Sequence, residues 1–165
     1  VLYVLNKAGG IDYYKLFKIM YFAQRSYLKE YGLSIFPDKF CALPNGPAPS
    51  MLYDAIKQSQ HTPITTILNE AVIKGSDDAF YMLIPTRQAE LKYISEAARE
   101  TIDWAFTKYY PKTFNELKAS AKTQIKGKIG ILFAMFLIMF GIFIASNFVP
   151  VLGTIANYLV GAAFA

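Results

Sequence analysis

Apolar and polar positions along this chain change period several times, and the changes mark its elements. VLYVLNKAGG reads as the end of an apolar helix closed by Gly9 and Gly10, the residue type that reaches a left-handed C-terminal cap. Asp12 then caps a new helix in which Tyr13, Leu16, Phe17, Met20, Gln24, Tyr27, Leu28 and Tyr31 recur at helical spacing until Gly32. This is the longest amphipathic helix expected in the front part of the chain. IFPDKFCAL is a short extended segment, and ALPNGPAPSMLY follows it with Pro44, Pro47 and Pro49 around an Asn-Gly turn. Ser50 is placed to cap the helix MLYDAIKQ, so the prolines precede that helix and the stretch reads as a rigid corner inside one domain. ITTILNEA predicts a short helix, and AVIKGSDDAFYMLI predicts a β-hairpin about Gly-Ser-Asp-Asp, ended by Pro85. A second long helix is expected from about Gln88 to Tyr110, with Leu91, Ile94, Ala98, Ile102 and Phe106, plus Ala105, as its seam and Pro111 as its stop. Thr113 and Glu116 have the spacing of a capping box that starts one more helix. The expected fold class is mainly α with a small β-hairpin or sheet, an α+β domain.

The pattern changes again near the end. From Ile129 to Ala145 no residue is strongly polar, and 17 such residues at 1.5 Å each approach the roughly 30 Å hydrocarbon core of a bilayer. Ser146, Asn147 and Pro150 then make a turn before a second apolar run, VLGTIANYLVGAAFA, too short to span alone. The preferred expectation is a C-terminal transmembrane helical hairpin over residues 129–165, with Ile129, Phe133, Phe136, Phe140 and Phe143 among its membrane residues. Gly153, Asn157 and Gly161 lie four apart and form a small-residue stripe. Its first reading is packing within the hairpin, against Gly141 and Ala145, and its second is self-association.

Charge sharpens this division. The chain has 17 Lys+Arg and 12 Asp+Glu, yet residues 129–165 carry no charged side chain. Residues 1–104 hold 11 basic and 11 acidic groups, whereas residues 105–128 hold six lysines against Glu116, so the net charge of +5 sits just before the apolar tail. A basic collar there suits anionic lipid headgroups and the positive-inside bias. The pI near 9.2 therefore points to a membrane before nucleic acid. A winged-helix regulator around Gly9-Gly10 would need a concentrated positive surface, which the neutral front lacks. One cysteine, Cys41, excludes an intrachain disulfide, and no cleavable signal pattern is present. These features place the N-terminal domain in the cytoplasm and the chain at the membrane, divided as residues 1–118, a basic juxtamembrane segment 119–128, and 129–165.

Candidate chemistry is sparse. Lys15, Lys18, Phe22, Arg25 and Lys29 fall within about a quarter of the circumference of the first long helix. The stripe reads first as a solvated face with Phe22 under a neighbouring loop, and second as a patch for an acidic protein with Phe22 as its apolar anchor. His61 and Cys41 have no metal-ligand or nucleophile-pair spacing, and Asp77-Asp78 reads as a solvated turn. Neither Gly9-Gly10 nor Asn45-Gly46 continues as a phosphate loop. No catalytic residue, metal or cofactor is expected, and a binding module is favoured over an enzyme.

VLYVLNKAGGIDYYKLFKIMYFAQ, then FCALPNGPAPSMLYDAI, then a late helix ending in KTFNEL together resemble the Panacea domain, also called the SocA-like antitoxin domain. Its Lys-Leu-x-Lys-hydrophobic-hydrophobic-Tyr-Phe-Ala run is matched by residues 15–23, and its Gly-Pro segment loosely by Ala42, Gly46, Pro47 and Tyr53. The resemblance implies a compact, mostly helical domain with a small sheet that acts without catalysis. Such domains bind and neutralise toxins encoded beside them in bacteria and phages, and some present the toxin to a protease. On this basis Lys15, Lys18, Tyr21, Phe22, Arg25 and Lys29 form the first candidate partner surface, and Gly46, Pro47 and Tyr53 the second. The sequence departs from the family where Leu117 leads into KASAKTQIKGK and the apolar run instead of a His- and Trp-containing segment. The expected function is an antitoxin-type protein-binding module anchored to the membrane. The alternative is a membrane effector whose hairpin permeabilises the bilayer under control of the N-terminal domain.

Overall fold

The structure is a computed structural model, and it describes residues 1–57, 63–75, 81–123, 134–140 and 142. The chain divides into two compact units, Val1–Lys122 and Thr123–Ala165.

In the first unit, α1 (Leu2–Ala8) ends at Gly9 with φ 71°, the left-handed cap its Gly-Gly pair predicts. A two-residue strand, β1 (Ile11–Asp12), leads into α2 (Tyr13–Tyr31). The Asp12 carboxylate accepts the Lys15 backbone N–H at 2.7 Å, satisfying one donor at the open start of α2. Gly32, with φ 68°, ends the helix as its position in the sequence suggests.

Sequence periodicity makes α2 one-sided, but it is the central element of the unit. Leu16, Phe17, Lys18, Ile19, Met20, Phe22 and Ala23 are all buried, so neighbours surround its first three turns. The principal neighbour is α5 (Glu96–Tyr109), whose Ala98, Ile102 and Ala105 are buried. Small residues on that face let the two helix backbones come close. The helix beginning after Thr113, helical over residues 114–123, adds Leu117 and Ala121 to the same core. Its capping box forms: Thr113 N–H donates to Glu116 Oε2 at 2.8 Å, and Glu116 N–H donates to Thr113 Oγ1 at 3.4 Å.

Two small sheets flank the helices. The proline-rich corner is itself a strand: β2 (Phe40–Leu43) pairs antiparallel with β3 (Gly46–Pro49), Leu43 opposite Gly46 and Phe40 opposite Pro49. All of β3 is buried and packs on α2, then runs directly into α3 (Ser50–Lys57). Ser50 is not the cap of α3 but its first residue. Asp38, from across the hairpin, accepts the Met51 and Leu52 N–H groups at 3.0 and 2.9 Å. A carboxylate takes two bonds at once, and the hairpin brings it to the helix start. The second sheet has the order β1-β5-β4, with α4 (Pro63–Ala71) leading into β4 (Val72–Lys74) and β5 (Met82–Pro85) in the middle. β4 and β5 form the antiparallel pair expected of the predicted hairpin.

The second long helix starts later than its periodicity suggests. It begins at Glu96, where the Ser95 hydroxyl accepts the Ala98 N–H, preceded by a 3₁₀ turn over Leu91–Tyr93. Asn6 of α1 accepts the Ala89 N–H at 2.8 Å and donates to the Arg87 carbonyl at 3.1 Å. Those two bonds tie residues 87–89 to α1 and take backbone groups from a longer helix.

In the second unit, residues 134–140 and 142 are helical, and residues 134–140 are exposed, Phe136 and Phe140 among them. Among the described residues no helix is long and apolar enough to cross a membrane. Ile129, Phe133, Phe143, Gly153, Asn157 and Gly161 lie outside the described residues, as do His61 and the Asp77-Asp78 turn.

Candidate functional site

The predicted basic stripe is not a continuous surface, because its middle lies in the core. Lys18 is 1% exposed and Phe22 2% exposed. The Phe22 ring stacks on Tyr109 of α5 with centroids 3.7 Å apart and planes 9° from parallel, a helix contact that the sequence pattern did not foresee. Lys15 is half-buried with Nζ 5.4 Å from the Tyr110 ring centroid, Arg25 is half-buried, and Lys29 is exposed. The stripe assumed that the helix had an outer face at these positions, but the β2–β3 hairpin meets it at Lys18 and α5 at Phe22. Tyr21, half-buried, packs beside Phe40 of β2 with ring centroids 5.7 Å apart.

What the fold brings together is Lys18 with the second candidate set. Lys18 Nζ donates to the Pro47 carbonyl at 2.6 Å and lies 4.6 Å from the Tyr14 ring centroid. Two of the three stretches that carry the sequence resemblance thus meet at a buried hydrogen bond. Gly46 has φ 98°, and a Cβ there would sit 3.4 Å from Lys18 Nζ and 3.3 Å from the Ala121 Cβ. Glycine alone combines that backbone conformation with that approach. Tyr14 Oη donates to the Asn45 carbonyl at 3.0 Å, and Lys118 Nζ donates to Asn45 Oδ1 at 2.8 Å, so the hairpin turn is fastened from two helices.

Beside this contact is a cavity of about 180 Å³ lined by aromatic residues Tyr13, Tyr14, Phe17 and Tyr53, with Lys18 and the turn residues 43–46 completing it. Tyr53 is half-buried, its ring centroid 6.2 Å from that of Phe17. A larger apolar cavity of about 410 Å³ lies between α1, α4 and residues 87–94, with Leu2, Leu68 and Ile94 in its wall. Sequence reasoning missed Tyr13, Tyr14, Phe17 and Asn45 as site residues. A signal was present: Lys18 interrupts the apolar run Leu16-Phe17-Lys18-Ile19-Met20, where a single cation must lie in the core or break the pattern.

Lys18 forms no ion pair among the described residues. Burial alone holds its ammonium down to about 8, since nothing of opposite charge offsets the lost hydration. Burial, then the charge of Asp12, pushes the Tyr14 phenol up to about 12. The signs of the two effects on stability differ. The folded state bears the cost of a buried charge in full below pH 8 and sheds it between 8 and 10.5, where Lys18 is neutral when folded and charged when unfolded. Stability therefore rises over that window, by at most about 3 kcal/mol. Lys74, also held down by burial, acts in the same direction. Above pH 10 the unfolded chain ionises Tyr14 first, and stability falls until the folded pKa of about 12 is passed. Urea midpoints measured across this range are expected to peak around pH 10, and Lys18→Met is expected to remove most of the rise.

No group of His, Cys, Asp and Glu that could hold a metal occurs among the described residues. Compared with known families, residues 16–124 match the family described as "Antitoxin SocA-like, Panacea domain", a stretch that includes Lys18, the β2–β3 hairpin and the whole cavity lining apart from Tyr13 and Tyr14. No curated protein and no solved structure matches. The family is not a known enzyme family. With the match covering well over half its length, the chain belongs to the SocA-like antitoxin family and carries its Panacea domain.

Proposed function

We propose that the chain is a non-catalytic binding module that recognises and neutralises a cognate toxin, or presents it to a protease, while held at the membrane by its C-terminal segment. The observation that carries this reading is the family match over residues 16–124. The partner surface we favour is the β2–β3 turn and its surroundings, including Leu43, Asn45 and Tyr53, together with the exposed end of α2 at Lys29. Lys18, Gly46 and Pro47 support that surface from beneath, and Phe22 holds α2 against α5. Membrane anchoring, with the N-terminal domain on the cytoplasmic side, is supported by the uncharged run 129–165 after a lysine-rich stretch, and by exposed Met135 to Phe140 in the described helix.

The test is co-expression of the full chain with the product of the adjacent reading frame. Growth is expected to be rescued from that product, and the two proteins to co-purify in detergent. Lys29→Glu combined with Leu43→Asp is expected to abolish rescue. If neither the parent chain rescues nor the two proteins co-purify, the antitoxin reading is wrong for that pair. Rescue undiminished by the double substitution would move the interface elsewhere.

The same exposed apolar helix supports a second reading, in which residues 129–165 act on the bilayer under control of the first unit. Expressing that segment alone and recording membrane potential tests it, since an unchanged potential and normal growth would remove it.

A further inference from the structure

A buried lysine without a counter-ion needs a physical account. An ammonium has three N–H donors. Lys18 gives one to the Pro47 carbonyl and turns toward the Tyr14 ring, and no carboxylate among the described residues pairs with it. Buried donors are rarely left unmet, and buried charges are ordinarily paired. Lys18 is 1% exposed, yet it is among the residues that line a cavity of about 180 Å³. An apolar cavity of about 150 Å³ admits benzene. The space is therefore of single-ring size, with aromatic walls at Tyr13, Tyr14, Phe17 and Tyr53 and a cation in its lining. Asn45, whose side-chain oxygen accepts from Lys118, is also part of the lining.

We infer that this cavity is a binding site for a small monocarboxylate carrying one ring or a branched apolar group, with the carboxylate paired to Lys18 and the apolar part against the tyrosines and Phe17. The ammonium supplies charge and the donors left over from Pro47. The walls supply apolar contact, which selects such acids over acetate or chloride. The cavity shares Leu43, Asn45 and Tyr53 with the surface proposed for the toxin, but it lies within one folded unit and needs no toxin to be complete, so acid binding is measured without the toxin.

Sodium benzoate titrated calorimetrically into the full chain in a non-ionic detergent, with chloride held constant, is the test. Benzyl alcohol, equal in size but uncharged, is the comparison ligand. Benzoate is expected to bind at least tenfold more tightly than benzyl alcohol, and Lys18→Met to reduce benzoate to the level of the alcohol. Should Lys18→Met fail to fold by circular dichroism, Leu43→Trp decides. Leu43 lines the cavity but is 38% exposed, so a larger ring there is expected to block both ligands without disturbing the core. Benzoate binding no tighter than benzyl alcohol, no benzoate binding at all, or benzoate binding unaffected by Leu43→Trp would each overturn the assignment. Rescue from the toxin is read separately, in growth of the parent chain, so failure of acid binding and failure of the antitoxin reading are distinguishable.

Discussion

Phe22→Ala is expected to cost the folded unit about 3–5 kcal/mol, the range for removing a fully buried aromatic side chain from a packed core. Phe22 is 2% exposed and stacked on Tyr109, so alanine leaves a ring-sized void between α2 and α5. Those two helices form the principal helix contact of the unit, and the small residues of α5 cannot move in to fill it. Lys29→Ala, one exposed position further along the same stripe, is expected to change stability by no more than about 0.5 kcal/mol. Had the stripe been an exposed patch, the two substitutions would have been alike in stability and would have differed only in partner binding. The chain's one tryptophan, Trp104, lies 6.0 Å from Tyr109 between ring centroids, so its fluorescence follows this contact through urea unfolding. A Phe22→Ala midpoint close to that of Lys29→Ala would mean that the ring is not in the core.

The contrast between these two residues shows where the sequence was legible. Several local signals hold where one or two residues decide the backbone: Asp12 and Gly32 bound α2, Thr113 and Glu116 start the late helix, and Val72 and Ile84 lie in the paired strands of the second sheet, whereas Ser50 is the first residue of α3 and not its cap. Their physics is contained within a few positions along the chain. Signals that depend on what packs against an element were not legible. Periodicity gave α2 one apolar face, because it counts lysine as polar wherever it falls, whereas Lys18 reaches the Pro47 carbonyl from inside the core. The prolines of β3 point away from a strand by propensity, yet Pro47 and Pro49 fit a short two-stranded ladder with an open edge. Asp38 could not be identified as the cap of α3 because the hairpin that delivers it is not a local feature. The site followed the same rule: its residues come from α2, the β2–β3 turn and α3, and only the motifs Lys15–Ala23 and Gly46-Pro47 hinted that they would meet.

Gly46→Ala is expected to destabilise the unit by about 2–4 kcal/mol, combining the strain of a non-glycine residue at positive φ with overpacking of a filled contact. At φ 98° an L-residue is disfavoured even in open space. In addition, its Cβ would lie 3.3 Å from the Ala121 Cβ, inside the 3.5–4.0 Å of an ordinary carbon contact, and would touch Lys18 Nζ at 3.4 Å. Lys18 has a flexible stem, but its amine is held by Pro47, and Ala121 sits on a helix backbone that must move as a unit. Gly9→Ala supplies the control. Gly9 also has positive φ, at 71°, but nothing lies within 4 Å of its would-be Cβ, so only the strain of about 1–2 kcal/mol applies. The difference between the two substitutions measures the contact, and in a double-mutant cycle Ala121→Gly should recover the Ala121 part of it once the cost of Ala121→Gly alone, about 1 kcal/mol for glycine in a helix, is subtracted. If Gly46→Ala costs no more than Gly9→Ala, or Ala121→Gly recovers nothing, the hairpin is not pressed against Lys18 and the late helix, and the cavity beside them loses its fixed wall.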